Sequence, residues 1–365
     1  MNESEAKRQF DRDLEEEKRK IGAPNILLIG KTGVGKSTLI NTIFGKNLAD
    51  VSHVKPQTRG FHKYSAPGLP INIIDSEGYE LGNEQFFLVE LAKYIDSHFS
   101  DIKEQVHICW YAVSVSSGRF LDFDLVVIDL LRSRKIPVAV VFTQCDLDDE
   151  HGSAAKAMMR IVYKRFGNVV PCFETSNDPE LNKQLDIDAL VQWSADNISD
   201  ENLKAGFIAA QNVSLEIKSK EVNKLINRYV ALASGTAVSP IPVSDAILLT
   251  ALQTKMSADI YNKYGLETSA TEIIQTVIKN QIVSMVGKML AGNLIKLIPV
   301  IGPWVGAGIN AIVAGSITYG LGQAISYMCR EAICSAWKGT SFKPLSEEDF
   351  SKMADSFAKE YKKAH

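Results

Sequence analysis

Gly30, Gly35, Lys36 and Ser37 stand at the spacing G-x-x-x-x-G-K-[ST], and the chemistry this spacing serves is the capture of a phosphate chain. Glycines let successive backbone N–H groups curl around an anion, and the helix that follows adds positive potential from its N-terminus. Lys36 reaches the terminal phosphates as the candidate catalytic cation, and the Ser37 hydroxyl can ligand Mg2+. The cradle comprises Gly30, Lys31, Thr32, Gly33, Val34, Gly35, Lys36, Ser37 and Thr38. A glycine-rich turn with no ligand would need neither Lys36 nor Ser37 at these places.

Residues that read a metal and a base follow in order. Ile71-Asn72-Ile73-Ile74-Asp75-Ser76-Glu77-Gly78 is an apolar run ending in D-x-x-G, in which Asp75 can hold a Mg2+ water and the Gly78 N–H can meet a γ-phosphate. Between the two motifs, Lys55-Pro56-Gln57-Thr58-Arg59-Gly60 is a polar loop. Thr58 is there the candidate metal ligand and catalytic hydroxyl, with Ser52 as the rival. Val138 to Phe142 runs into Thr143-Gln144-Cys145-Asp146; a carboxylate at Asp146 can accept from the two adjacent donors on a guanine edge, a pattern adenine lacks. Ser176 and Asn177, after the last apolar run, can close over the base through backbone N–H groups.

The pattern of elements that must carry these loops is α/β. Strand-type runs at 25–30, 61–65, 71–75, 106–113, 137–142 and 169–174 alternate with helical patterns near 36–45, 84–98, 122–134, 153–166 and 185–197. Such alternation predicts a mostly parallel sheet covered by helices on both faces, with ligands at the C-terminal strand ends. After about residue 198 only helical patterns continue, at about 200–233, 244–263, 267–295, 304–338 and 346–362. The expected organisation is a charged N-terminal helix over 1–22, an α/β domain over 23–198 and a C-terminal all-helical domain over 199–365. Phe10 and Leu14, four apart on the charged helix, offer a way to dock it on the body, and partner binding is the other reading.

Composition bounds the rest. At 365 residues two domains are expected, and 23% charged residues with a net charge of -3 give no basic excess to indicate nucleic acid. Five scattered cysteines without C-x-x-C spacing predict neither a disulfide framework nor zinc, and fit a reducing compartment. The first residues lack the apolar core of a secretory signal, so the expected location is cytoplasmic. Leu297 to Cys329 is 33 residues without an acid or base, although Pro299 and Pro303 interrupt its start. It reads either as a buried helical hairpin, with Asn310, Ser316, Thr318 and Gln323 breaking the apolar run, or as a segment that meets a membrane.

With these motifs in place, residues 24 to about 197 resemble a small GTPase domain of the TrmE-Era-septin-like group of P-loop proteins. By position, Gly30 to Thr38 match the group's phosphate loop, Thr58 its first switch, and Asp75 and Gly78 its second. Thr143 to Asp146 match its N/T-K-x-D motif and Ser176-Asn177 its S-A motif. The resemblance implies GTP/GDP and Mg2+ as ligands and slow GTP hydrolysis as the activity. It also implies pairing of a second copy through the GTPase domain. Two positions depart from the pattern: Gln144 stands where the group has Lys, and Tyr79 stands where Ras-type members place a water-orienting Gln. Arg59 and His62 are candidate charge stabilisers acting in trans, or ordinary loop residues. Farther on, Ser239 to Asp245, Leu252 to Met256 and Ile298 to Gly302 resemble the YcjF-like helical domain of unknown role. Together these imply a GTP-dependent switch coupled to a helical domain at a membrane surface. The alternative is a nucleotide-dependent assembly or membrane-remodelling module with negligible hydrolysis. An RNA-assembly role would call for a basic module, which the apolar helical part does not supply.

Overall fold

A computed structural model describes residues 3–45, 60–66, 68–76, 83–149, 151–236, 244–290 and 311–364. Thr58, Arg59, Gly78, Tyr79, Ser239 to Val243 and the first part of the uncharged stretch, 297–310, lie outside the described residues. The chain divides into two compact units. One runs from Ile21 to Ser214; the other combines Met1–Lys20 with Leu215–His365. Helix α1 (Glu3–Lys20) thus belongs to the helical unit and is described with it.

Among the described residues, the α/β unit is built on six strands: β1 (Asn25–Ile29), β2 (Phe61–Tyr64), β3 (Asn72–Ser76), β4 (Ile108–Ser114), β5 (Val138–Thr143) and β6 (Cys172–Glu174). They form one sheet in the order β2-β3-β1-β4-β5-β6. Only the β2–β3 pairing is antiparallel. β1, β4 and β5 are buried at every position, as expected of parallel strands covered on both faces. Alternation along the strands sorts the side chains. Leu27, Ile29, Cys109, Tyr111 and Val113 share a core with helices α3 (Glu84–His98), α4 (Asp122–Ser133) and α5 (Ser153–Phe166), after α2 (Lys36–Phe44). Trp110 points the other way, stacked on Phe44 of α2 at 6.0 Å and donating from Nε1 to Ser194 Oγ at 3.0 Å. Ser194 lies on α7 (Ile187–Asn197), which follows the short α6 (Pro179–Asn182).

The predicted helix over 200–233 is two helices, α8 (Glu201–Ala210) and α9 (Leu215–Thr236). Gln211 breaks it. Its buried Oε1 accepts from the N–H groups of Val213 and Ser214 at 2.8 Å each, and its Nε2 donates to Ser214 O at 2.8 Å, so a side chain takes up the backbone groups a continuous helix would pair. The boundary expected at 198 accordingly falls at Ser214. α8 is committed to the α/β unit by Phe207, fully buried with its ring 6.0 Å from that of Phe44 and 6.5 Å from that of Trp110. Just beyond α8, Asn212 N–H donates to Ile43 O at 2.7 Å.

The helical unit contains α1, α9, α10 (Ser244–Tyr264), α11 (Leu266–Ser269), α12 (Glu272–Leu290), α13 (Ala311–Trp337) and α14 (Glu347–Ala364). The separate N-terminal segment predicted over 1–22 is part of this core: Phe10 and Leu14 are buried beside Met256, Tyr261 and Ile278. Ion pairs from Glu17 to Lys255 at 2.9 Å, Asp11 to Lys279 at 2.8 Å and Lys18 to Glu267 at 2.7 Å fasten the polar flank of α1. Two ionisable groups are buried deeper. Lys218 Nζ donates to Tyr264 O at 2.8 Å, and burial lowers the lysine to about 7. Asp259 accepts from Tyr229 OH at 2.5 Å through Oδ2, and burial raises its carboxyl to about 7. Within the uncharged stretch, Ile317, Leu321, Ala324, Ile325, Met328 and Cys329 of α13 face the core. Their polar neighbours are hydrogen-bonded, Ser316 Oγ to Ile312 O at 2.6 Å and Thr318 Oγ1 to Gln253 Nε2 at 3.3 Å. No helix among the described residues is long and apolar enough to cross a membrane.

Candidate functional site

β1 ends at Ile29, and the loop from Gly30 to Gly35 turns the chain into α2. Two glycines there are required by geometry. A Cβ on Gly30 would lie 2.5 Å from Ala112 O of the neighbouring β4, and Gly35 holds φ +93 at the start of α2. Lys36 folds back over the loop, donating to Gly30 O at 2.9 Å and Lys31 O at 3.3 Å. Its Nζ lies 4.0 Å from Asp75 Oδ1, across the β1–β3 pairing. Burial lowers the Lys36 pKa, an effect Asp75 opposes; burial likewise raises the Asp75 pKa against the pull of Lys36 and His62. Asp75 Oδ1 is buried with no hydrogen-bond partner among the described residues. His62 faces Asp75 directly in the β2–β3 register.

The third motif converges on the same loop from β5. Thr143 Oγ1 donates to Val34 O, and Gln144 Nε2 donates to Gly33 O at 3.3 Å. Gln144 has φ 58, one of two non-glycine residues with positive φ among the described residues, and this bend aims its side chain back at the loop. Asp146, two residues on, is exposed. Its Oδ1 accepts from Ser176 Oγ at 2.6 Å and from Asn177 N–H at 3.4 Å, and the Ser176 bond is the main cause of its lowered pKa. The structure therefore brings together the phosphate loop, Asp75, the Thr143–Asp146 motif and Ser176-Asn177 at the C-terminal ends of β1, β3, β5 and β6. Thr32, Ser37 and the Gly33 Cα are exposed at the rim, with Thr38 half-buried behind them.

Several residues that support this arrangement went unread in the sequence. Asn182, buried on α6, clamps Ser176 through both backbone groups: its Oδ1 accepts from Ser176 N–H at 2.7 Å, and its Nδ2 donates to Ser176 O at 2.5 Å. Asp178 caps the same short helix, accepting from Glu180 N–H at 2.8 Å. Ser114, the last residue of β4, and Ser116, just beyond it, reach Gln144. An S-N-D-P run that ends three residues before Asn182 is the only local signal, and it reads equally well as a plain helix cap.

Comparison with known proteins agrees with this geometry. Residues 25–144 match a family described as "50S ribosome-binding GTPase", and residues 204–352 match a "Domain of unknown function (DUF697)". A probable GTP-binding protein EngB from Caldanaerobacter subterraneus subsp. tengcongensis is 30% identical over 141 residues, covering 34% of this chain and 63% of that protein. Septin-8-A of Danio rerio is 25% identical over 181 residues, covering 43% and 42% respectively. The chain thus spans less than two thirds of the length of either relative. Among solved structures, Toc33 from Arabidopsis thaliana in complex with Mg2+ and GMPPNP is 18% identical with a TM-score of 0.36, over 54% of this chain and 93% of that one. A probable GTP-binding protein engB has a TM-score of 0.34 at 17% identity, over 48% and 98%. The chain joins a P-loop GTPase domain, similar to those of EngB and the septins, to a C-terminal helical domain of unknown function.

Proposed function

We propose that the protein binds GTP and GDP with Mg2+, hydrolyses GTP slowly, and uses the difference between the two states as a switch on its helical unit. The observation that carries this reading is the direct tie between base and phosphate motifs, in which Thr143 and Gln144 donate to the carbonyls of Val34 and Gly33. A nucleotide is the ligand whose two ends such a tie would register. Asp146, whose pKa the Ser176 bond lowers, supplies the double acceptor that favours guanine. At the other end, the buried Asp75 Oδ1, near Lys36 and without a hydrogen-bond partner among the described residues, fits a bound, hydrated Mg2+, with Ser37 as the inner ligand and Thr58 as the expected second one. Bound Mg2+ would neutralise charge on the phosphate oxygens. Lys36 would supply the second positive charge there, Gly78 a backbone donor, and Ser176-Asn177 the cover over the base.

Phosphate release by the purified chain tests this. Release with GTP and Mg2+ should exceed that with ATP, and should vanish with EDTA or in Lys36→Ala; no GTP-dependent release sinks the hydrolytic reading. A rise in turnover per protein with protein concentration would mark activation by pairing of two copies.

A second reading is nucleotide-dependent assembly at the cytoplasmic face of a membrane with negligible hydrolysis. It is favoured by exposed Leu232 and Ile312, on α9 and α13, which meet through Ala233 and Ala314. Sedimentation with liposomes, with and without GTP, tests it: a chain that stays in the supernatant under both conditions removes the membrane from the proposal.

A further inference from the structure

We infer that Ser114 and Ser116 are positioning residues of the nucleotide site, acting through the Gln144 carboxamide; the inference rests on the guanine-nucleotide reading above. Ser114 closes β4 and pairs in register with Thr143 of β5, so its side chain lies next to the bend at Gln144. Buried Ser114 Oγ donates to Gln144 Oε1 at 2.5 Å, and Ser116 Oγ lies 3.5 Å from the same oxygen. The other end of the carboxamide, Nε2, donates to Gly33 O. The amide is therefore held at both ends, between a strand terminus and the phosphate loop.

The direction of these bonds is set by the Gly33 carbonyl, which can only accept. Ser114 Oγ accepts from Ser116 N–H at 3.2 Å and lies 2.7 Å from Ser116 Oγ. One lone pair of Ser114 Oγ takes the Ser116 N–H, and the Ser114 hydroxyl proton goes to Gln144 Oε1. That orientation turns the NH2 end of Gln144 toward the Gly33 carbonyl; a flipped amide would set two carbonyl oxygens against each other. A lysine at this position would carry only donors and could not accept from Ser114 at all. With that direction fixed by Gly33, the two hydroxyls hold the oxygen end of the amide in place.

The consequence concerns affinity more than choice of base. A nucleoside held at Asp146 with its phosphates in the Gly30 to Thr38 loop must cross the bridge from Gln144 to Gly33. The bridge ends on Gly33, while Asp75, Lys36 and Gly78 are the groups proposed to meet Mg2+ and the γ-phosphate. Loss of the bridge should therefore weaken GDP and GTP alike and leave the preference for guanine with Asp146.

The test is a double-mutant cycle on the full chain, read by dissociation of fluorescent GDP and by GDP affinity. Ser114→Ala should weaken GDP about three- to ten-fold, the worth of one hydrogen bond. Ser116→Ala, at an exposed position whose hydroxyl lies 3.5 Å from Gln144 Oε1, should cause a smaller loss in the same direction. In the Gln144→Lys background either substitution should change affinity less than about twofold. Equal losses in both backgrounds would show that the serines only shape the 115–117 turn and would overturn the inference, as would no loss in either. Absence of GDP binding by the unaltered chain would overturn the guanine-nucleotide reading and this inference together.

Discussion

Phe207→Ala tests whether α8 belongs to the GTPase unit. The ring is fully buried, with Phe44 edge-on at 6.0 Å and Trp110 at 6.5 Å. Truncating such a side chain costs about 3–5 kcal/mol, because the cavity left behind is added to the lost transfer energy. For a unit the length of Ile21–Ser214, each kcal/mol lowers the midpoint by roughly 2–4 °C, so the expected fall is on the order of 10 °C. Scanning calorimetry of the full chain, with and without GDP and Mg2+, identifies which transition is affected. A ligand raises the midpoint only of the unit that binds it, so the nucleotide-sensitive transition marks the GTPase unit. Phe207→Ala should lower that transition and leave the other in place. A variant in which the nucleotide-sensitive midpoint holds while the other falls would refute the boundary at Ser214 and restore the one read at residue 198.

Two further outcomes concern the helical unit. Leu14→Asp places a carboxylate at a fully buried position of α1, and should destabilise the nucleotide-insensitive transition by several kcal/mol while GDP affinity stays the same; an unshifted transition would mean that α1 is dispensable to that core. Burial raises the Asp259 carboxyl from 3.8 to about 7, so the folded unit holds more protons than the unfolded chain between those values, and the stability this group contributes below pH 3.8 is lost as pH rises through about 7. Asp259→Asn removes the charge, and its unfolding free energy in urea titrations should therefore gain on that of the unaltered chain by a few kcal/mol from pH 4 to pH 7; a constant offset across that range would refute the assignment.

What could be read in the sequence and what could not divide along a physical line. Strand and helix positions in the GTPase unit were legible because each is set by local periodicity, and the phosphate loop because its spacing is dictated by the ligand. Asp146 is read from the same kind of spacing, and the structure sets it beside Ser176. Asn182 was not, since its work is to hold the backbone of Ser176, a contact made six residues away by a chain that first turns through a capped four-residue helix. The break at Gln211 escaped because a buried glutamine bonded to its own next residues leaves the apolar periodicity on either side intact. Missing that break also hid the ownership of α8, whose buried face from Ala205 to Ala210 reads the same whichever core it enters. The N-terminal helix posed the converse problem: Phe10 and Leu14 announced a docking face, but a charged helix at the start of a chain carries no mark of which core receives it. Once α1 is placed with α9 to α14, the GTPase unit becomes an insertion within the helical unit, joined to it by backbone at both Lys20–Ile21 and Ser214–Leu215. The first of these connections lies four residues before β1, and β1 ends at the phosphate loop.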